Sequence, residues 1–141
     1  MHDILREIGA TVAYGLVGIG LMALSYLVVE LTTPGRLSRQ IWEDRNRGAA
    51  LLLSIRLLGV GAIVTVAIAT SDDSLGTGLV DTVVFGVLGV LLTALAFSLL
   101  DMVTPGRLGA ILVDGTSIHP AGWVVAAADL AVSGVICGAV S

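Results

Sequence analysis

Four long apolar runs alternate with short polar segments along the chain. The runs cover residues 8–29, 48–70, 82–100 and 121–141. Within them only Arg56 and Asp129 carry a charge. Because a helix of about 20 apolar residues can cross the roughly 30 Å hydrocarbon core of a bilayer, this pattern predicts four transmembrane helices. We therefore expect an all-α integral membrane protein.

The composition supports a membrane environment and excludes several functional classes. Hydrophobic residues make up 56% of the 141 residues and charged residues 13%, whereas soluble domains have about 25% charged residues. The helices of a soluble bundle would also show polar outer stripes, which these runs lack. The net charge of −4 argues against a nucleic-acid partner. With one Cys and two His, the sequence predicts no metal site, no cofactor and no enzyme activity.

A short phrase occurs twice, each time at the end of an apolar run. The first copy is ELTTPGRL at residues 30–37, and the second is DMVTPGRL at residues 101–108. This repetition predicts two tandem helical hairpins, one in residues 1–75 and the other in residues 76–141. Each hairpin contains an even number of spans, so both cross the membrane in the same sense as a parallel repeat.

The repeated motif consists of Thr33, Pro34, Gly35 and Arg36 in the first copy and of Thr104, Pro105, Gly106 and Arg107 in the second. Proline should end the preceding helix, threonine should cap a new one, and glycine should permit a sharp turn. The arginine would then lie at the level of the lipid phosphates. Two interpretations remain open: the motif is only a turn, or it is a turn that also binds lipid or a partner.

The segments after the two motifs differ in polarity. In the first, Leu37, Ile41 and Trp42 are expected to share one face of an interfacial helix, because Trp favours the membrane interface. In the second, residues 107–122 are more apolar and richer in glycine. We expect this second segment either to dip into the bilayer or to pack on the protein.

The doubled hairpin, the acid four residues before each Pro–Gly and the small size resemble the YjfL-like bacterial membrane proteins, which are grouped as a domain of unknown function. The residues that carry the resemblance are 30–37, 101–108 and the glycine-rich first and third runs. The resemblance covers essentially the whole chain. It implies a multi-pass protein of the bacterial inner membrane, without assigned catalytic residues.

The distribution of arginine predicts the orientation in the membrane. The loop after the first run contains Arg36, Arg39, Arg45 and Arg47, and the loop after the third contains Arg107. The opposite side has Arg6 and the acidic segment SDDS at residues 71–74. By the positive-inside rule, both motif loops are expected in the cytoplasm and both termini outside.

Four ionisable residues lie in or near the spans: Glu30, Arg56, Asp101 and Asp129. A charge at the bilayer centre costs roughly 2.5–3.5 kcal/mol on insertion scales, so such residues usually face protein or water. From their distances to the helix ends, all four are expected in the cytoplasmic half of the membrane. Arg56 should pair with Asp129, or with Glu30 or Asp101.

Three interpretations of this polar cluster remain open. It can be a buried pair that fixes the register of the helices, a proton or ion relay, or a set of side chains that reach toward the interface. The favoured function is a non-enzymatic scaffold or accessory subunit that binds the lipid bilayer and assembles with itself or with another membrane protein. The alternative is a small proton- or cation-conducting channel or transporter. Gly134 and Gly138 are expected to form a helix-packing face.

Overall fold

The computed structural model describes residues 1–71, 74–115 and 117–141. Six helices are present in these residues. They are α1 (His2–Thr32), α2 (Leu37–Trp42), α3 (Arg47–Ala69), α4 (Leu75–Val103), α5 (Leu108–Leu112) and α6 (Pro120–Val140). The described part of the chain is thus all-helical, with two short helices separating the long ones.

The four long helices confirm the predicted membrane spans. Each of α1, α3, α4 and α6 is long and apolar enough to cross a bilayer. With 31 residues and a rise of about 1.5 Å per residue, α1 exceeds the thickness of the hydrocarbon core. At least one end of α1 must therefore reach the polar headgroup layer.

Helix α3 is the centre of the bundle. It packs against α1, α4 and α6, and its contact with α6 is the most extensive between any two helices of the described chain. Helices α1 and α6 each pack on both α3 and α4. The central position of α3 explains why the charge on Arg56 is placed inside protein rather than facing lipid.

Both TPGRL turns lie at one end of the bundle, which we call the loop end. Gly109 at the start of α5 approaches Pro34 so closely that a Cβ atom there would be 3.2 Å from the Pro34 Cδ. At the opposite end, the Tyr14 hydroxyl and the Ser71 hydroxyl share a hydrogen bond of 3.3 Å. Because four spans alternate in direction, both chain termini belong to that opposite end.

The two motifs adopt nearly the same backbone conformation. Thr33 and Thr104 are extended, with φ and ψ of −101° and 132° and of −82° and 131°, as expected for a residue before proline. Gly35 and Gly106 have φ values of +92° and +103°, a region that side chains with a Cβ rarely adopt. This agreement is consistent with the predicted duplication, which stays a prediction.

The prediction that threonine caps the new helix is wrong. Thr33 and Thr104 follow the ends of α1 and α4, and the residues that precede α2 and α5 are Arg36 and Arg107. The left-handed glycine between them delays the restart of the helix. In the second motif, the Asp101 carboxylate takes the capping role by accepting a hydrogen bond from the Leu108 N–H.

The leucine after each motif is buried in protein. Leu37 and Leu108 are 0% and 2% exposed and belong to one hydrophobic cluster at the loop end. Leu112 joins the same cluster, so the second segment packs on the protein. The expectation that Trp42 shares the face of Leu37 is wrong, because Trp42 is 81% exposed and points away from the core.

Several glycines mark close helix contacts and others do not. A Cβ atom on Gly59 would overlap the Ser133 hydroxyl, and one on Gly89 would crowd Ile63. Nothing described lies within 4 Å of the position of a Cβ on Gly134 or Gly138, so their role as a helix-packing face stays a prediction. These two glycines lie on the outer surface of α6.

Candidate functional site

A buried ion pair joins α3 to α6. The Arg56 Nε donates a hydrogen bond of 2.8 Å to the Asp129 Oδ2, and both side chains are 2% exposed. Each member of the pair lies nine residues after the first residue of its helix, and the first turns of both helices stand at the loop end. The structure thus brings together two of the four residues predicted to form a polar cluster.

Small and aromatic side chains enclose this pair. The Arg56 guanidinium carbon is 5.1 Å from the centre of the Phe97 ring on α4, which gives a favourable cation–π contact. The Ser133 hydroxyl donates to the Asp129 carbonyl oxygen at 2.7 Å and lies against Gly59. Because Gly59 and Ser133 are small, α3 and α6 approach closely enough for a direct contact between the charges.

One carboxylate oxygen of the pair has no partner among the described residues. The Asp129 Oδ1 is buried and accepts no hydrogen bond there. Asp129 also lines a narrow cavity of about 10 Å³ whose walls include Gly48, Leu112 and Gly122 at the loop end. A cavity of this size accommodates about one water molecule. A single water would therefore fit next to the side chain that carries the unpartnered oxygen.

Glu30 and Asp101 are not part of the ion pair. Both are half-buried, and neither forms a salt bridge within residues 1–71, 74–115 and 117–141. Glu30 lies close to the Tyr26 hydroxyl, and Asp101 accepts from the Leu108 N–H. Each of these two acids thus lies beside its own motif turn and outside the Arg56–Asp129 pair.

Most residues of the two motifs are exposed at the loop end. Among them, Thr33 is buried and Thr104 is half-buried, whereas the others are exposed. The exposed ones are Pro34, Gly35, Arg36, Pro105, Gly106 and Arg107. This places the two motif arginines where they can contact an interfacial ligand.

Asn46 connects the two loops and was not among the residues singled out from the sequence. Its side chain accepts from the Ala49 N–H at 3.0 Å as the N-cap of α3. Its amide donates to the Val113 carbonyl at 2.6 Å and to the Gly115 carbonyl at 3.0 Å. The N-cap position just before an apolar run could have identified the first contact, but no sequence signal predicts the other two.

The arrangement can hold helices together and can bind small polar groups at its surface. The ion pair and Asn46 both connect the first half of the chain to the second. Both side chains of the pair are 2% exposed, and Asp129 also lines the narrow cavity.

Comparison with known proteins decides the family. Residues 3–140 match the family model described as Domain of Unknown Function (DUF350). The chain belongs to this family. The match confirms the resemblance inferred from the doubled motif, and it spans almost the full length of the chain.

Relatives of this DUF350 chain are named as membrane proteins. A UPF0719 transmembrane protein of Mycolicibacterium paratuberculosis is 32% identical over 141 residues, covering the whole chain and 93% of the relative. UPF0719 transmembrane proteins of Mycobacterium bovis and Mycobacterium tuberculosis are each 36% identical, with 92% of the relative covered. No solved structure matches the chain. The names and the four apolar helices agree on a multi-pass membrane protein.

Proposed function

We propose that this protein is a non-enzymatic membrane scaffold or accessory subunit that assembles with itself or with another membrane protein. The observation that carries the proposal is the enclosed Arg56–Asp129 pair, in which both side chains are 2% exposed. In this proposal, the sealed charge pair fixes the register of α3 against α6. A conduit, in contrast, needs its charges to face water.

Unpartnered small residues on the outside of the bundle support assembly. Gly134 and Gly138 are spaced as in a GxxxG motif and have open space where a Cβ would stand. Between them, Val135 is 72% exposed. Small residues at this spacing let two transmembrane helices approach closely, so a second membrane helix fits against this face of α6.

Native mass spectrometry of the protein in mild detergent tests the assembly. We expect an oligomer, or a complex with one partner at a fixed ratio, that is lost in the Gly134→Leu variant. The matched control Val135→Leu keeps the same face apolar without filling the glycine groove, and it should leave the assembly intact. A monomeric mass for the purified wild-type protein, with no partner retained, would contradict the proposal.

Proton or cation conduction is the second candidate, and one observation favours it. The Asp129 Oδ1 is buried without a partner in the described part of the chain, and Asp129 lines the narrow cavity. In this alternative, Asp129 exchanges protons through the cavity while Glu30 and Asp101 attract cations at the loop end. Intramembrane acids commonly serve as proton relays.

Flux measurements in proteoliposomes separate the two candidates. Liposomes with an internal pH dye and an imposed membrane potential should acidify no faster than empty liposomes if the protein is a scaffold. A flux above that of empty liposomes, lost in Asp129→Asn, would instead establish conduction. Leu130→Met, an exposed neighbour on the same helix, is the control for nonspecific leakage.

For the orientation, we propose that the loop end faces the cytoplasm. The arginines of the motif loops support this assignment through the positive-inside rule. A variant with Cys137 replaced by serine and Arg45→Cys introduced offers one exposed thiol at the loop end. In intact cells an impermeant maleimide should not label it, and permeabilisation should restore labelling. Labelling of intact cells would reverse the assignment.

A further inference from the structure

A cleft of about 220 Å³ lies between the two motif turns. We call it the inter-motif cleft and define it by the residues that line it, which are Leu31, Thr32, Thr33, Pro34, Asp101, Arg107, Gly109 and Ala110. Residues of α1 and the first motif form one wall. Residues of α4, the second motif and α5 form the other. The cleft therefore exists only because the two motifs meet at one end of the bundle.

Three polar side chains of the inter-motif cleft keep hydrogen-bonding capacity that the described part of the chain does not satisfy. Asp101 accepts a hydrogen bond through Oδ1, and neither Asp101 nor Arg107 belongs to a salt bridge there. The Thr33 hydroxyl is buried, with the residue 4% exposed, and has no hydrogen-bond partner. An unpartnered buried hydroxyl is costly, so a ligand that accepts from Thr33 would be stabilising.

The position of the cleft suits a ligand at the headgroup level. It lies where α1 and α4 end, and both are membrane-spanning helices. The last turns of these helices contain no basic residue. The negative ends of the two helix dipoles therefore have no cation within their own last turns, and they favour a positive group beside Asp101.

We propose that the inter-motif cleft binds a phosphate ester that carries a primary ammonium, as in the headgroup of phosphatidylethanolamine. Asp101 would accept hydrogen bonds from the ammonium, while Arg107 and the Thr33 hydroxyl would donate to the phosphate. The cleft offers one acid and one base, so its charges match a zwitterion rather than an anion. Pockets for drug-sized ligands measure about 300–1,000 Å³, and this smaller cleft fits a headgroup.

None of the residues that line the inter-motif cleft belongs to the Arg56–Asp129 pair or to the glycine face of α6. In this proposal the TPGRL motif is a turn that also binds a ligand, and the ligand is the ammonium phosphate ester. The same chemistry could come from a lipid or from a soluble ester.

Native mass spectrometry of the full-length protein in detergent measures binding of dioleoyl lipids with three headgroups. We expect phosphatidylethanolamine to be retained more strongly than phosphatidylcholine, which cannot donate hydrogen bonds, and than phosphatidylglycerol, which lacks the cation. Soluble glycerophosphoethanolamine is added as a competitor. Displacement of the lipid at equal concentration would assign the site to the soluble ester, whereas no displacement would assign it to the membrane lipid.

Conservative variants identify the groups that bind. Asp101→Asn keeps an oxygen that can accept from the Leu108 N–H but removes the charge, so it should weaken binding of phosphatidylethanolamine about fivefold and leave phosphatidylglycerol unchanged. Arg107→Gln removes the positive charge that faces the phosphate, and Thr33→Val removes a hydroxyl donor, so both should weaken both lipids. The thermal midpoint of each variant, measured by circular dichroism, checks that the fold is retained.

The first motif provides matched controls. Glu30→Gln and Arg36→Gln change the equivalent acid and arginine, neither of which lines the inter-motif cleft. They should leave the retention of phosphatidylethanolamine unchanged. Equal retention of the three lipids by the wild-type protein would overturn the proposal. So would equal losses in Arg36→Gln and Arg107→Gln, because they would indicate a general attraction to charge.

Discussion

The Arg56–Asp129 pair provides a quantitative test of how this bundle is held together. Substituting Arg56 by methionine keeps an unbranched apolar side chain but leaves the Asp129 carboxylate buried without its 2.8 Å partner. Removing one member of a buried ion pair typically destabilises a protein by about 3–5 kcal/mol. The Arg56→Met variant also loses the contact with the Phe97 ring, so the upper half of this range is expected.

The double variant should recover most of the lost stability. Asp129→Leu alone leaves the guanidinium unpaired and is expected to cost about 3–5 kcal/mol as well. In Arg56→Met/Asp129→Leu no buried charge remains, and apolar replacements of this kind are often neutral or stabilise by about 1–4 kcal/mol. The two singles are therefore expected to be strongly non-additive, with a coupling energy above about 3 kcal/mol.

Equilibrium unfolding in mixed micelles of a mild detergent and SDS, followed by circular dichroism, measures these free energies. Leu58→Met is the control, since Leu58 is 64% exposed on α3 and surface changes usually stay within about 0.5 kcal/mol. The reasoning would be refuted by single variants that cost under about 1 kcal/mol, or by a double variant equal to the sum of the singles within about 0.5 kcal/mol.

Three further substitutions test contacts at the loop end. Asn46→Ala should lower the thermal midpoint in differential scanning fluorimetry and cost about 1–3 kcal/mol, because it leaves two loop carbonyls and the N-cap of α3 without a partner. Gly48→Ala should cost about 1–3 kcal/mol in the same assay, because its Cβ would overlap the Leu112 carbonyl. Its control Gly20→Ala has open space and should be neutral or stabilising. Gly106→Ala should cost about 1–2 kcal/mol in micelle unfolding, because φ is +103° there. An unchanged thermal midpoint in Asn46→Ala would contradict the role of the Asn46 hydrogen bonds, and one in Gly48→Ala would contradict the close approach to Leu112. Wild-type unfolding of Gly106→Ala would contradict the need for a positive φ at that position.

The sequence by itself determined the spans and the turns between them. Membrane spans can be predicted from uninterrupted apolar runs without knowledge of tertiary contacts, because the length of each run matches the thickness of the bilayer. Proline and glycine act on the local backbone, so the breaks at Thr33 and Thr104 could also be read directly. The helix cap after the second motif was predicted wrongly from local rules. They predicted a threonine cap, whereas the Asp101 side chain caps α5.

Only the tertiary structure decided which polar side chains meet. The sequence placed Glu30, Arg56, Asp101 and Asp129 at compatible depths, but depth does not specify the direction in which a side chain points. The central position of α3 and the close contact at Gly59 select Asp129 as the partner of Arg56.

The connection made by Asn46 and the inter-motif cleft depend equally on tertiary structure. Both join residues that are far apart in the chain and become neighbours only when the two loops pack together. A periodic pattern predicts which face of a helix is apolar. It does not predict which loop will lie against that helix, because loop packing depends on how all four spans fit together.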